Sequence, residues 1–468
     1  MDNKLSFNKS LLVLLFLLLS IFVGVIMWEQ DPQIPIVIST IFAIVLSLFN
    51  GTSWDELEES IVKTINSITP SIVFLLAMGI MLGTWLHSGV VPTIIYYGSR
   101  LISPNIFLPT AFLLCSITSL TTGDSWGTAG TIGIALLGIG MSFGVPTPVI
   151  AGAIVSGSYF GDKLSPISDT TVLASGVCEV DIIDHVKYML FTTVPSMIIA
   201  MIIYFFLGLK YAKHVEVEQI LELHRLLVET FTISPILLLV PVAVLLMIVK
   251  KIKAVPALIG GAVFAAVFAM IFQGASLSEV VEVMHYGVEM DTGYELIDEL
   301  IVGGGLDYVM WTISLIFCAM ALAGVLDGSG VTEAIVNKIL GIVRSTGDLI
   351  LATVVSSIFL NAATADQYLA IIFPARMFKD AYVERNIDLK VLSRTLEDAG
   401  TLTSPLFPWN TCGAFIGSAL GVSPFAYLPY AILNWLNPII AIIYGYANLN
   451  IATGDKASET KEAVGVEG

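Results

Sequence analysis

Long apolar runs separated by short polar breaks dominate the chain. At about 20 residues each, they match the length over which a helix crosses a bilayer with its backbone groups satisfied internally. The pattern predicts crossings at 10–28, 33–49, 69–87, 147–178, 187–209, 232–250, 255–273, 305–326, 395–420 and 424–446. Two more apolar stretches, 106–143 and 348–378, are interrupted by small and polar residues. Each reads as a re-entrant hairpin or a pair of short spans. The expected fold class is an all-α polytopic membrane protein.

Lysine and arginine placement predicts the orientation. Lys4 and Lys9 precede the first run, Lys250, Lys251 and Lys253 fill a short loop, and Lys379, Arg385, Lys390 and Arg394 cluster before 395–420. The stretch from Glu279 to Asp307 is acidic and holds no lysine or arginine. These positions agree if both termini are cytoplasmic and each interrupted stretch returns to the side it entered from. The first run is read as a span and not a cleaved signal, because no small-residue cleavage site follows it.

The two halves of the chain resemble each other. Gly83-Thr-Trp-Leu-His-Ser-Gly-Val90 aligns with Gly324-Val-Leu-Asp-Gly-Ser-Gly-Val331, and Thr122-Gly-Asp124 with Thr364-Ala-Asp366. Ser165-Pro166 aligns with Ser404-Pro405, and Asp169-Thr170 with Asn410-Thr411, all at separations of 239 to 242 positions. Each half then holds five transmembrane helices plus one re-entrant hairpin. An odd number of crossings inverts the second copy, which predicts two inverted repeats whose broken helices meet near the midplane. The expected boundaries are 1–209 for the first repeat, 210–231 for an extracytoplasmic linker, 232–446 for the second repeat and 447–468 for a disordered cytoplasmic tail.

Composition narrows the function. Hydrophobic residues are 56% and charged residues 13% of the 468, and the formal charge of −17 argues against a nucleic-acid partner. The four cysteines match no zinc spacing and read as small core residues. His185, His214, His224 and His285 fall in predicted loops and read as surface residues, while His87 and Asp327 read as solvated span ends.

Candidate chemistry sits at the breaks. Thr121-Thr-Gly-Asp-Ser-Trp-Gly-Thr-Ala-Gly130 and Asn361-Ala-Ala-Thr-Ala-Asp-Gln-Tyr368 are rich in residues that let the backbone leave helical geometry. Pro166 and Pro405 break the other two segments. A carboxylate at a helix centre in the membrane costs at least about 2.5–3.5 kcal/mol, so Asp124, Asp162, Asp169, Asp366 and Asp398 call for explanation. The simplest alternative is that they cap half-helices or lie at the membrane boundary, with Asp162 pairing with Lys163.

A buried carboxyl favours its proton, while a nearby sodium ion favours the ionised form. One site can therefore hold either cargo but not both, which suffices for exchange. Neutral oxygens from Ser125, Ser168, Thr170, Asn410 and Thr411 would complete a sodium shell around Asp124 and Asp169, since hard cations take oxygen ligands. No cofactor is expected beyond Na+ and H+ as transported ions.

Three stretches carry a family resemblance: Gly123-Asp-Ser-Trp-Gly-Thr-Ala-Gly-Thr-Ile-Gly133, Tyr159-Phe-Gly-Asp-Lys-Leu-Ser-Pro-Ile-Ser-Asp-Thr-Thr171, and Leu392 to Gly413. They resemble the signatures of the NhaC-type Na+/H+ antiporters of the ion-transporter superfamily, over roughly residues 70–446. The resemblance implies a multi-pass protein of the bacterial plasma membrane, with Ser168-Asp-Thr170 and Trp409-Asn-Thr411 similar to the superfamily's site motifs. It also implies a second reading, because the family includes exchangers of malate and protons for sodium and lactate. Under that reading Lys163 would neutralise a substrate carboxylate, with Asp162 and Asp398 as charge partners. The expected partners are Na+, H+, lactate or malate under the second reading, and the lipid bilayer, and a homodimer is compatible with the architecture. A passive channel is the reading from another class, and no phosphate loop or HExxH pair points to ATP drive or an enzyme.

Overall fold

The computed structural model describes residues 4–213, 217–250, 252–289 and 302–453. The expected tail is therefore described only to 453, and Lys251, His214 and part of the acidic stretch lie outside the described residues. The first half contains α1 (Phe7–Ile21), continued by a π turn (Phe22–Met27), α2 (Gln33–Phe49), α3 (Trp54–Ser67) and α4 (Thr69–His87). It continues with α5 (Val90–Leu101), α6 (Phe107–Thr122), α7 (Ser125–Thr128), a π turn (Ala129–Gly133) and α8 (Ile134–Ser142). Then follow α9 (Thr147–Leu164), α10 (Asp169–Val177) and α11 (Ile182–Ala212).

The second half contains α12 (Val217–Thr230), α13 (Leu239–Val249), α14 (Ala254–Phe272), α15 (Leu277–Tyr286), α16 (Gly305–Gly328) and α17 (Val331–Leu340). It ends with α18 (Thr346–Ala363), α19 (Gln367–Glu384), α20 (Leu389–Leu396), a π turn (Glu397–Thr401), α21 (Thr411–Leu420), α22 (Pro424–Tyr427) and α23 (Ile432–Tyr446). Among the described residues there is no strand, only two isolated bridges, Val288 with Gly303 and Ile387 with Thr453.

Seven of these helices are long and apolar enough to cross a membrane, or nine if each of two sharply bent helix pairs is one span. The all-helical, polytopic class therefore holds. Among the expected crossings that are broken, 147–178 divides into α9 and α10, and 395–420 into α20, the π turn, a 3-10 turn and α21. Proline supplies the reason in both, since Pro166 and Pro405 sit where the helix stops.

The apolar runs did not anticipate α3, α5, α12, α15 or α17. They are amphipathic, and α3 and α15 each open with a reciprocal capping box, Ser53 with Glu56 and Ser276 with Glu279. α12 occupies the expected linker, and its buried His224 bonds Ser99 Oγ of α5 at 2.7 Å. His185 is also fully buried, against Ser393 Oγ at 2.8 Å. Both histidines correct the surface assignment, because tertiary packing covers helix faces that no apolar run marks.

The halves exchange partners. α4 packs on α14 and α15 of the second half, and α16 packs on α2 and α3 of the first. Glycine permits both approaches: a Cβ on Gly83 would lie 2.8 Å from the Val283 carbonyl oxygen, and one on Gly324 would lie 2.6 Å from Ile61 Cα.

Both interrupted stretches are hairpins with the same tip. Gly123 (φ +68°) precedes Asp124, whose carboxylate accepts from Gly127 N at 2.8 Å. Ala365 (φ +54°) precedes Asp366, whose carboxylate accepts from Leu369 N at 2.9 Å. A left-handed alanine is strained by about 1–2 kcal/mol. Its carbonyl accepts from Thr411 N at 2.9 Å, which helps hold that geometry.

Candidate functional site

The N-terminal ends of α7, α10, α19 and α21 meet in the interior. The first hairpin tip lies on the α9–α10 break, where a Cβ on Gly123 would touch Ile167 at 2.9 Å and Ser168 N at 3.0 Å. The second tip lies on α21 through Thr411 and Ala365. Aligned peptide dipoles make such ends locally positive, and three carboxylates are placed among them. Asp124 and Asp366 cap α7 and α19, and Asp169 occupies the first turn of α10. Asp124, Asp162 and Asp366 each lie within electrostatic reach of Asp169.

Of the aspartates nearest the hairpin tips, Asp162 has unused capacity. It is 3% exposed, and its Oδ2 accepts from Ser125 Oγ at 2.7 Å, but its Oδ1 has no hydrogen-bond partner. Ser165 Oγ, one helical turn on, is also buried without a partner. Ser168 and Thr170 share a 3.1 Å hydroxyl contact beside them, and both are fully buried. A buried carboxylate oxygen left bare among hydroxyls is costly unless something fills the place. Oxygen ligands of this type suit a hard monovalent cation or a proton-bearing water. Among the described residues, no three histidine, cysteine or acidic side chains converge as a metal cluster.

In the second half Thr401, which aligns with Asp162, also has a buried hydroxyl without a partner, while the asparagines nearby are satisfied. Asn410 caps α21 through Cys412 N at 3.0 Å, and its Nδ2 donates to Asn361 O at 3.0 Å and Oδ1 at 3.1 Å. Asn361 in turn donates to Gly400 O at 2.6 Å and Thr403 Oγ1 at 3.0 Å. The Asn410 amide, through Asn361, thus ties the second tip to the π turn, and the Thr411 backbone N–H bonds the tip at Ala365 O.

Behind Asp162 lies a fully buried ionic cluster. Lys163 does not pair with Asp162; its ammonium bonds Asp398 Oδ1, which also accepts from Thr192 Oγ1 at 3.0 Å and from Asn437 Nδ2. Arg394 Nε lies 3.6 Å from Asp398 Oδ2, with its guanidinium 5.0 Å from the Tyr188 ring centre. Arg394 was counted among the cytoplasmic surface charges, yet it is fully buried. Glu397 is buried beside it, with neither oxygen hydrogen-bonded. Sequence reasoning missed Arg394 and Glu397 as interior residues. The available signal was the Arg394–Asp398 spacing of four, which places opposite charges on one helix face.

Aromatic residues wall the meeting point. Trp126 stacks on Phe415 with centroids 4.4 Å apart, and Trp409 Nε1 donates to Ala362 O at 2.7 Å. Tyr368, which was not singled out, donates its hydroxyl to Asp169 Oδ2 at 2.5 Å.

Comparison with known proteins extends over nearly the whole chain. Residues 5–173 and 157–449 match the profile of the Na+/H+ antiporter family. A Na(+)/H(+) antiporter NhaC of Alkalihalophilus pseudofirmus is 37% identical over 96% of this chain and 98% of its own. The arginine/ornithine antiporter ArcD of Halobacterium salinarum is 36% identical over 99% and 96%. A malate-2H(+)/Na(+)-lactate antiporter of Bacillus subtilis is 36% identical over 88% and 89%.

Proposed function

The chain belongs to the Na+/H+ antiporter family, and from that membership we propose that it is a secondary transporter exchanging sodium ions for protons across a bacterial plasma membrane. The observation that carries the reading is the bare, buried Oδ1 of Asp162 among the hydroxyls of Ser125, Ser165, Ser168 and Thr170. Asp162, Asp124 and Asp169 are the proposed sites at which Na+ and H+ compete, with the hydroxyls as neutral sodium ligands. Asp366 holds the matching tip, and Asn410 and Thr411 frame it.

The two halves are proposed to be inverted repeats with both termini cytoplasmic. In support, their capped hairpin tips, amphipathic capping-box helices and exchanged α4 and α16 correspond pair by pair. The basic cluster at Lys379 and Lys390 then faces the cytoplasm. A net charge moved per cycle would draw about 2.3 kcal/mol per 100 mV from the membrane potential.

The relatives that exchange organic ions favour a second reading, in which malate, lactate or an amino acid travels with or in place of an ion. The commitment of Lys163 to Asp398 weighs against it, since that ammonium is already neutralised inside the protein.

Everted membrane vesicles test both readings. Sodium alone is expected to collapse an imposed pH gradient; a requirement for malate, lactate, arginine or ornithine would replace the first reading with the second. Asp162→Asn and Asp124→Asn are each expected to abolish the sodium response while leaving the protein in the membrane. Wild-type exchange in both variants would remove these carboxylates from the mechanism.

A further inference from the structure

We propose that Tyr368 sets the sodium affinity of Asp169, its hydroxyl and the arriving cation competing for one carboxylate oxygen. The inference rests on the sodium reading above. Asp169 Oδ1 accepts from Thr170 N at 2.8 Å and Oδ2 from the Tyr368 hydroxyl at 2.5 Å, so both oxygens already hold a donor. The hydroxyl proton presents its positive end to the same lone pairs that a cation needs, so the bond must open before sodium can take that oxygen.

Asp169 is also the accessible member of the group. It is exposed, whereas Asp162 and Asp366 are 3% and 5% exposed. Val172 and Gly176, which share its side of α10, are exposed too, as is Arg376 on the neighbouring α19.

The tyrosine is held in place at both ends of its helix. Asp366 caps the start of α19, and near its far end Lys379 bonds Glu179, just beyond α10, at 2.8 Å. Tyr368 therefore reaches Asp169 from a fixed frame, and the competition is built into the packing of α10 against α19.

The other hairpin shows the contrast. Trp126 stands two residues after Asp124, as Tyr368 stands two residues after Asp366. Trp126 also reaches the opposite half, but it stacks on Phe415 at an interplanar angle of 5° and brings no hydroxyl to a carboxylate. The same position is thus an apolar contact in one half and a polar competitor in the other, giving the two sides of the site unequal affinities.

Sodium binding to purified protein by calorimetry, with half-saturating sodium and maximal rate in vesicles, tests the proposal. Tyr368→Phe is expected to lower both the sodium dissociation constant and the half-saturating concentration by about tenfold or more, the scale of one hydrogen bond to a charged group. Tyr368→Leu is expected to shift them in the same direction, and in an Asp169→Asn background the Tyr368→Phe shift should vanish. Unchanged or weaker sodium binding in Tyr368→Phe, with wild-type protein binding sodium, overturns this inference alone. Wild-type protein that takes up no sodium overturns the sodium reading and this inference together.

Discussion

Asp398→Ala is expected to destabilise the protein by about 3–5 kcal/mol, the usual cost of stranding a buried charge. Asp398 is fully buried and receives Lys163, Thr192 and Asn437 on one oxygen, with Arg394 at 3.6 Å from the other. Its removal leaves two fully buried cations facing the single carboxylate of Glu397. Thermal unfolding in detergent, followed by size-exclusion of the heated protein, measures the effect. Removing both charges with Lys163→Met and Asp398→Leu together is expected to recover the larger part of the loss, because an apolar pair of similar volume has no desolvation penalty. A single Asp398→Ala variant that melts like wild type would mean that the cluster is hydrated and the ion pair contributes little.

Gly161→Val is expected to abolish exchange and sharply reduce the yield of folded protein. Gly157 and Gly161 lie four apart on α9, on one face, against α6. A Cβ on Gly157 would lie 2.3 Å from Phe112 O, and one on Gly161 would lie 2.3 Å from Ser116 O and 2.4 Å from Leu120 N. These neighbours are backbone atoms of a helix, so no side-chain rotation relieves the clash. In a bilayer, where lipid is as apolar as the partner helix, such close contact is a main source of helix association. The displacement also acts on chemistry, since Asp162 follows Gly161 directly and bonds Ser125 across the α6–α7 hairpin. Gly176→Ala is the control: nothing lies within 4 Å of its added Cβ, so folded yield and exchange should be retained. Normal exchange by Gly161→Val would contradict the close α6–α9 packing.

Much of the architecture could be read along the chain because membrane helices declare themselves locally. A run of apolar residues long enough to cross is its own signal, and glycine or proline within it marks where it stops. The interruptions at Asp124 and Asp366 and the breaks at Pro166 and Pro405 were all legible in this way. The amphipathic helices α3, α12 and α15 were not, because half of each is polar. His185 and His224 were assigned to the surface, and Arg394 to a basic loop cluster, for a related reason: their burial comes from tertiary partners, Ser393, Ser99 and Asp398, that lie far off in sequence or one helical turn away.

The partner of Lys163 was beyond the reach of sequence. Lys163 is next to Asp162 in the chain but bonds Asp398, 235 residues away. Adjacent residues on a helix point about 100° apart, so adjacency does not make a pair. The sequence by itself determined that this is a helical membrane protein with duplicated breaks carrying carboxylates, because hydropathy and backbone chemistry act within a few residues. Only the tertiary structure decided which of those carboxylates is capped, which is paired and which keeps a bare oxygen. That choice depends on helices from both halves meeting end to end, at distances no local pattern encodes.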